Sequence, residues 1–135
     1  MTRNFEEFRD LSTFLARYRY LKLEGSIGRA TFGFDRYLNQ QFYTSKKWRQ
    51  VREEVILRDE GFDLGHKDYF IGGRILVHHM NPLRIEDVTR WDPQIYNPEF
   101  LISTSRSTHL AIHYGDEDLL PKLPILRYHG DTTLW

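Results

Sequence analysis

Two short β-prone runs followed by a capped helix constrain the fold of this chain more than any other feature of its sequence. The runs are RILV at 74–77 and FLIS at 100–103. The intervening residues 84–99 contain two prolines, which break any long element. A helix is predicted from Arg106 to Tyr114, ending at Gly115, and the residues available to cap its N-terminus are Ser103, Thr104 and Ser105. The pattern predicts a compact strand, loop, strand and helix unit.

The composition indicates one globular domain spanning residues 1–135. Hydrophobic residues make up 40% of the chain and charged residues 28%, which excludes a disordered chain. No apolar run approaches the roughly 20 residues of a membrane span, and MTRNFEEFRD lacks the apolar region of a secretory signal. Cysteine is absent, which excludes disulfides and cysteine-bound zinc and fits a reducing environment. We therefore expect a cytoplasmic protein with no membrane association.

The N-terminal region, residues 1–42, is predicted to be largely helical. Residues 3–23 carry apolar side chains at steps of three and four, the pattern of one amphipathic helix, and Gly25 is suited to end it. The apolar positions are Phe5, Phe8, Leu11, Phe14, Leu15, Tyr18 and Leu21. Segment 26–43, rich in glycine and aromatic residues, is predicted to form a turn-rich collar around a short helix.

A second helix is predicted from Lys46 to Arg58, capped by Thr44 or Ser45. Its inward residues would be Trp48, Val51, Val55 and Ile56. Its outward residues would be Lys46, Lys47, Arg49, Arg52 and Arg58, which suit a solvated face and contact with DNA phosphates equally well. The net charge is zero, although residues 1–60 hold 12 Lys and Arg against nine Asp and Glu. Charge therefore supports DNA contact only weakly.

Four of the six histidines form two tight groups. His78 and His79 end the first β-prone run, while His109 and His113 lie four residues apart on the predicted helix and project from one face. Either group alone is more often structural or incidental than functional. Because adjacent strand residues point to opposite sides, one of His78 and His79 can bind a metal while the other faces a substrate. Together the groups predict metal-assisted hydrolysis, in which a neutral imidazole takes a proton from water. The other two histidines are predicted to be surface residues without a role: His66 and His129.

At these residues the sequence resembles the HNH nucleases, the ββα-metal group. VHHMNPL at 77–83 resembles the first strand and turn of the motif, and FLISTSRSTHLAIH at 100–113 resembles the second strand and helix. The HH followed by HxxxH is similar to the version in nuclease colicins. YTSKKWRQVREEVILRDEGFDLG at 43–65 resembles the segment that precedes the motif in many bacteriophage members. With LNQQFY at 38–43 and GDTTLW at 130–135, the whole chain resembles a phage or prophage HNH protein.

The resemblance implies an α+β fold with an HNH core at 43–115 and an extended tail at 116–135. It gives His79 the role of general base and assigns three metal positions: His78, His109 and His113. The implied reaction is hydrolysis of a DNA phosphodiester, leaving a 5′-phosphate and a 3′-hydroxyl. Arg106 stands beside the metal positions. Two interpretations fit it equally well: a residue that binds a phosphate, and a residue of the helix surface without a functional role. The implied cofactor is a divalent cation, Mn, Ni, Zn or Mg; imidazole ligands favour Mg least.

The sequence departs from the family pattern at two places. The middle Asn of the motif is expected nine residues before His109, where Phe100 stands. That Asn tethers the loop whose backbone orients the general base, and Asn97 is either its replacement from the loop or a turn residue beside Pro98. Many relatives also bind a structural zinc through two pairs of cysteines, and here Asp63 and Thr108 stand near two of those positions. The fold is therefore expected to depend on its aromatic core.

Two functional hypotheses follow. The first is a metal-dependent endonuclease acting on double-stranded DNA, linked to phage DNA packaging through the terminase and portal. The second is a catalytically weak or inactive HNH fold that serves as a DNA-binding or assembly protein; Phe100 and the zero net charge motivate it. A structural metal domain ranks lower, since structural sites are usually closed shells of four ligands.

Overall fold

The computed structural model describes residues 2–23, 41–81, 90 and 92–122 as an α+β structure of short helices around a two-stranded antiparallel sheet. The elements, in chain order, are α1 (Phe5–Arg9), α2 (Phe14–Leu21), α3 (Lys46–Asp59), β1 (Leu76–His79), β2 (Leu101–Thr104) and α4 (Arg106–Tyr114). Single 3-10 turns occupy Asp63–Gly65, Pro93–Tyr96, Pro98–Phe100 and Glu117–Leu119. The α+β class predicted from the sequence is confirmed.

The predicted strand, loop, strand and helix unit is present. β1 and β2 pair in antiparallel register from Leu76 opposite Thr104 to His79 opposite Leu101. The first strand begins two residues later than RILV and the second one residue later than FLIS, and α4 has the predicted bounds. Ser105 caps α4 by accepting from the Thr108 amide at 3.2 Å.

Gly115 ends α4 for a steric reason as well as a conformational one. Its φ of +65° lies in the left-handed region, which glycine adopts without strain. A Cβ atom at this position would lie 2.7 Å from the carbonyl oxygen of Leu23. The glycine therefore allows the end of α4 to lie against the backbone of Leu23, two residues after α2.

The prediction of one continuous helix over residues 3–23 is wrong, because two helices form there. Thr13 has extended φ and ψ angles and its hydroxyl accepts from the Ala16 amide at 3.1 Å, so it starts α2 as an N-cap. Arg17 closes the break by donating to the Leu11 and Arg9 carbonyls at 2.9 and 3.2 Å. Both helices keep the apolar stripe inward except at Leu15, which is exposed.

The prediction for α3 is confirmed, with Ser45 as the N-cap and one further residue at the C-terminus. Trp48, Val51 and Val55 are buried, whereas Ile56, the fourth residue predicted to face inward, is only partly buried. The prediction that Arg58 lies outside is wrong. Its side chain is only 25% exposed, because it packs between α1 and the loop that precedes β2.

The buried residues form two clusters, one on each side of the sheet. The first joins α1, α2 and α4 and contains the following side chains: Phe8, Phe14, Tyr18, Leu21, Leu23, Leu64, Met80, Ile102, Ala111 and Ile112. The second joins α3 to the loop before β2 and contains Phe42, Trp48, Val51, Val55, Ile95, Tyr96 and Leu101. An aromatic core therefore supports the sheet on both faces, as expected for a chain without cysteine.

A buried carboxylate connects the turn after α3 to the start of α4. Asp63 is 2% exposed and accepts from the Ser105 amide at 3.1 Å, the Ser105 hydroxyl at 2.8 Å and the Thr108 hydroxyl at 2.6 Å. Burial raises the pKa of Asp63, while these hydrogen bonds act in the opposite direction. Asp63 and Thr108, the two residues noted near family cysteine positions, thus bond to each other directly.

Asp63→Ala is expected to destabilise the protein by roughly 3 kcal/mol, because it leaves three donors without their acceptor in the interior. The measurement is urea unfolding at pH 7. The matched control is Asp116→Ala, which removes an exposed carboxylate that accepts one amide hydrogen bond from Asp118 and should cost less than about 1 kcal/mol. Equal losses in the two variants would contradict the role assigned to Asp63.

Several sequence predictions concern residues outside the described part of the chain. These are most of the collar at 26–43, the stop at Gly25, the first half of the loop at 84–99, His129 and the end of the tail at 116–135. Within the described ranges, none of the helices combines the length and the hydrophobicity that a membrane crossing requires.

Candidate metal centre

Three histidines from the sheet and α4 converge on one point. One ring nitrogen each from His78, His109 and His113 lies within 4.8 Å of the other two. The Nε2 atoms of His109 and His113 are 3.2 Å apart. The His78 ring centroid lies 5.2 and 5.3 Å from those of His109 and His113. The structure therefore brings together the three residues predicted as metal ligands.

The local sequence explains this convergence. His109 and His113 are separated by one helical turn on α4, so their side chains lie on the same face. His78 stands opposite Ile102 in the sheet, and α4 starts two residues after β2 ends. The short connection folds α4 back onto the sheet, which places its histidine face beside the end of β1.

Burial lowers the pKa of all three imidazoles, which favours their neutral form. Desolvation lowers the pKa of His78 well below its ordinary value, with added repulsion from the neighbouring His109 and His113. Desolvation, followed by the charge of His113, lowers the pKa of His109 to about 4. Desolvation also lowers the pKa of His113. Neutral imidazole is the form that binds a metal.

A divalent cation fits this donor set. The buried Nε2 atom of His78 has no hydrogen-bond partner within the described part of the chain, which is costly for a polar atom unless a ligand is bound. Three imidazole nitrogens are suited to first-row transition metals. A three-ligand shell also leaves coordination positions for water or substrate, as catalytic sites do.

His79 lies outside this cluster and points into the second core cluster. Its ring stacks on Trp48 with a centroid distance of 5.1 Å and an interplanar angle of 15°. Its Nε2 atom is 3.0 Å from the Ile95 carbonyl oxygen, and the residue is 8% exposed. Because a carbonyl only accepts, Nε2 carries the proton and the lone pair is on Nδ1. The sequence correctly places His78 and His79 on different sides of the strand.

Asn97 and Phe100 belong to the loop that carries Ile95. The Asn97 side-chain oxygen accepts from the Glu99 amide at 3.0 Å and caps the Pro98–Phe100 turn. This hydrogen bond fits one of the two roles predicted for Asn97, that of a turn residue beside Pro98. Phe100 contributes its backbone, since its carbonyl accepts from the Met80 amide at 2.9 Å and closes the sheet.

The predicted basic residues are exposed and lie on two different helices, α4 and α3. Arg106 is exposed, one turn before His109 on α4. It lines a groove of about 710 Å³ that also contains Arg74 and Lys122, two cations that sequence reasoning did not select. Lys46, Lys47 and Arg49 are exposed in the first turn of α3, and the Lys47 ammonium lies 4.5 Å from the centre of the Tyr96 ring. Tyr96 follows Ile95, so this second group is on the His79 side.

Sequence reasoning missed the roles of two residues near the site and misplaced a third. Arg58 and Asp63 organise the segments around the histidines through hydrogen bonds that depend on tertiary structure. His66, predicted to be a surface residue, has a side chain that is only 14% exposed. It packs edge-on against Phe14 and Tyr69, because the turns after Gly65 fold back onto α2.

Acidification is expected to destabilise the metal-free protein below the ordinary histidine pKa of 6.5. The unfolded chain binds protons at these histidines near that pH, whereas the folded chain, with the pKa of His109 at about 4, does not. Because the unfolded state then holds more protons, stability rises with pH across this window and is lost as the pH falls through it. Each pKa unit of difference changes stability by about 1.4 kcal/mol.

The measurement is urea unfolding in EDTA at several pH values between 7.5 and 4.5, for the wild type and His109→Gln. Glutamine has a similar reach and does not titrate, so the variant should lose stability less steeply on acidification. Both proteins retain Asp63, whose raised pKa acts in the opposite direction and cancels in the comparison. Identical pH dependence would show that His109 is not held neutral by burial.

Comparison of the chain with models of known protein families, with curated proteins and with solved structures finds no match. The fold and the site therefore define the protein only as an α+β chain with a cluster of three histidines that could hold a metal ion.

Proposed function

We propose that this protein is a metal-dependent DNA endonuclease that hydrolyses phosphodiester bonds through an HNH motif. The observation that carries the proposal is the convergence of His78, His109 and His113 beside a fourth histidine on the same strand. The order of elements supports it, since an antiparallel pair of strands is followed directly by the helix that bears two of the ligands.

His79 is proposed to act as the general base. An Nε2 proton directed to the Ile95 carbonyl would leave the lone pair of the neutral ring on Nδ1. That nitrogen can accept a proton from a water that attacks phosphorus, a step in which a placed base contributes typically 10²–10⁴-fold. A hydrogen bond from the other ring nitrogen to a backbone carbonyl fixes the tautomer and the ring orientation.

His78, His109 and His113 are proposed to hold the cofactor, a divalent cation that is Mn, Ni, Zn or Mg. A bound divalent cation stabilises negative charge on the phosphate and on the leaving 3′ oxygen. Their own contribution is a set of three imidazole nitrogens, from β1 and α4, that lie within 4.8 Å of one another.

The partner is proposed to be double-stranded DNA in the host cytoplasm, with the terminase and portal of a phage as further partners. Arg106 extends from the helix turn next to His109 and is suited to contact a phosphate beside the scissile bond, because guanidinium binds phosphate in a two-pronged geometry. Lys46, Lys47 and Arg49 are exposed on the His79 side. These two groups of cations would contact the DNA backbone on either side of the site.

The test is nicking of supercoiled plasmid by the purified protein in Mn, Ni, Zn, Mg or EDTA. Nicking that requires a divalent cation and stops in EDTA would support the proposal. Its absence in every metal would favour a second candidate, a DNA-binding or assembly protein without catalysis. One observation favours that candidate: His79 is only 8% exposed, and a general base needs access for water.

A salt titration of duplex DNA binding in EDTA separates the two forms of the second candidate. Phosphate-driven binding weakens steeply with salt, because each neutralised phosphate releases counterions. Salt-sensitive binding without cleavage would support a DNA-binding protein. No binding at low salt would leave the assembly role.

A further inference from the structure

The Ile95 carbonyl that contacts His79 belongs to a loop with its own internal order. Residues 92–100 form two consecutive 3-10 turns. The Ile95 amide donates to Asp92 at 3.1 Å, the Asn97 amide to Gln94 at 3.2 Å and the Phe100 amide to Asn97 at 3.0 Å. These hydrogen bonds link the loop residues to one another, so the position of the Ile95 carbonyl depends on what attaches the loop to the rest of the protein.

Arg58, at the end of α3, makes this attachment at two points. Its guanidinium donates to the Pro98 carbonyl at 2.7 Å and to the Leu101 carbonyl at 2.7 Å. Pro98 lies three residues after Ile95, and Leu101 is the direct partner of His79 in the sheet. One side chain therefore links the second turn of the loop to the strand position opposite His79.

The guanidinium is itself held in place from two other directions. Its Nε and one Nη donate to the Asp59 carboxylate at 3.0 and 3.3 Å. Asp59 is buried and also accepts from the Ser103 amide at 2.8 Å. The guanidinium carbon Cζ lies over the Phe5 ring, 3.7 Å from its centre. A planar fork with several donors suits this position, and the single ammonium of lysine does not.

We infer that Arg58 is a positioning residue for His79: by fixing the loop at Pro98 and Leu101, it holds the Ile95 carbonyl where it selects the Nε2–H tautomer of His79. The positioning can be observed in the protein without DNA or metal. Its consequence for cleavage rests on the proposed function.

The experiment is ¹⁵N NMR of the histidine side chains in the metal-free chain at pH 8, for the wild type, Arg58→Met and Arg58→Lys. Methionine keeps much of the length of arginine and removes every donor, so His79 should change from one Nε2–H tautomer to a mixture of both. Lysine keeps a single ammonium group, which cannot replace the separate nitrogens of the guanidinium, and should give a smaller change. Backbone spectra of the same samples report whether the fold is retained.

The matched control is Arg52→Met on the same helix. Arg52 donates to the Ile75 carbonyl, just before β1, at 2.7 Å. This variant therefore also removes a cation and a hydrogen bond to a backbone carbonyl, but not one near the Ile95 loop. It should leave the tautomer of His79 unchanged. If it shifts the tautomer as much as Arg58→Met does, the specific role of Arg58 is overturned.

Plasmid nicking separates this inference from the proposed function. If the wild type nicks DNA, Arg58→Met should lower kcat at least tenfold with KM within about twofold, which is equivalent to about 1.4 kcal/mol or more at the chemical step. A rise in KM alone would place Arg58 in DNA binding and overturn the inference. An unchanged His79 tautomer in Arg58→Met would also overturn the inference. Loss of the fold in both Arg58 variants would overturn it too, because Arg58 would then stabilise the whole protein and not His79 in particular. A tautomer shift in a protein that nicks no DNA would support the inference and remove the proposed activity.

Discussion

His79→Ala is expected to lower metal-dependent plasmid nicking by about 10²–10⁴-fold while leaving metal binding intact. The alanine variant has no group that can take a proton from water, and general-base catalysis is worth typically 10²–10⁴-fold. Metal affinity should stay unchanged, because His79 is not among the three histidines whose nitrogens converge. The measurement is the single-turnover rate of nicking together with the affinity for the activating cation.

Two further variants separate chemistry from packing in that experiment. His79→Gln places an amide near the Ile95 carbonyl but has no basic nitrogen, so it should be as inactive as His79→Ala with less disturbance of the stack on Trp48. His66→Ala removes a histidine that packs on Phe14, away from the three converging histidines, and should retain nicking. Full activity in His79→Gln would show that His79 is not the base. Loss of activity in His66→Ala would show that the assay responds to stability alone.

The unit of two strands and a helix can be predicted from sequence because its signals are local. Ser105 and Gly115 fix the two ends of α4 through capping and a left-handed φ, and both preferences belong to the residues themselves. The spacing of His109 and His113 then sets their common face. The convergence with His78 needs only that α4 return to the strand it follows, which the short connection after β2 enforces.

The break between α1 and α2 shows where such reasoning fails. The apolar stripe continues through Leu11 and Phe14 at helical spacing, so periodicity alone predicts one helix. The chain instead uses Thr13 as an N-cap and satisfies the freed carbonyls with Arg17. Arg17 also donates to the Leu64 carbonyl at 2.7 Å, a tertiary contact that the apolar pattern of residues 3–23 does not reveal.

The supports of the site are not predictable from residue patterns for a related reason. Arg58 is a charged residue on an amphipathic helix, where the pattern places it in solvent. Its side chain lies inward because it donates to one carbonyl of the loop before β2, one carbonyl of β2 and the Asp59 carboxylate. Likewise Asp63 finds its donors more than forty residues along the chain at Ser105 and Thr108. Charged groups are buried only with such partners, and the partners are defined by the fold.

His109→Ala is expected to weaken binding of transition metals at least about 100-fold and to remove the rise in melting temperature that the metal produces in the wild type. A cation that binds only the folded state stabilises it by mass action, by about 2.7 kcal/mol at 100 times the dissociation constant. Removing one of three ligands takes most of that affinity. The measurement is calorimetric titration and thermal unfolding with Ni, Zn, Mn and Mg, with His66→Ala as the matched control.

The order of metals in that experiment tests the donor set itself. Three neutral imidazoles should bind Ni and Zn more tightly than Mn, and Mg most weakly, following the general order of first-row affinities and the preference of Mg for oxygen ligands. His78→Ala should lose affinity as His109→Ala does, because the Nε2 atom of His78 is the buried donor without another partner in the described residues. Tight Mg binding that survives both substitutions would locate the metal elsewhere. Because the two core clusters bury apolar side chains on both faces of the sheet, we expect the protein to stay folded in EDTA, and unfolding in EDTA would indicate a structural metal.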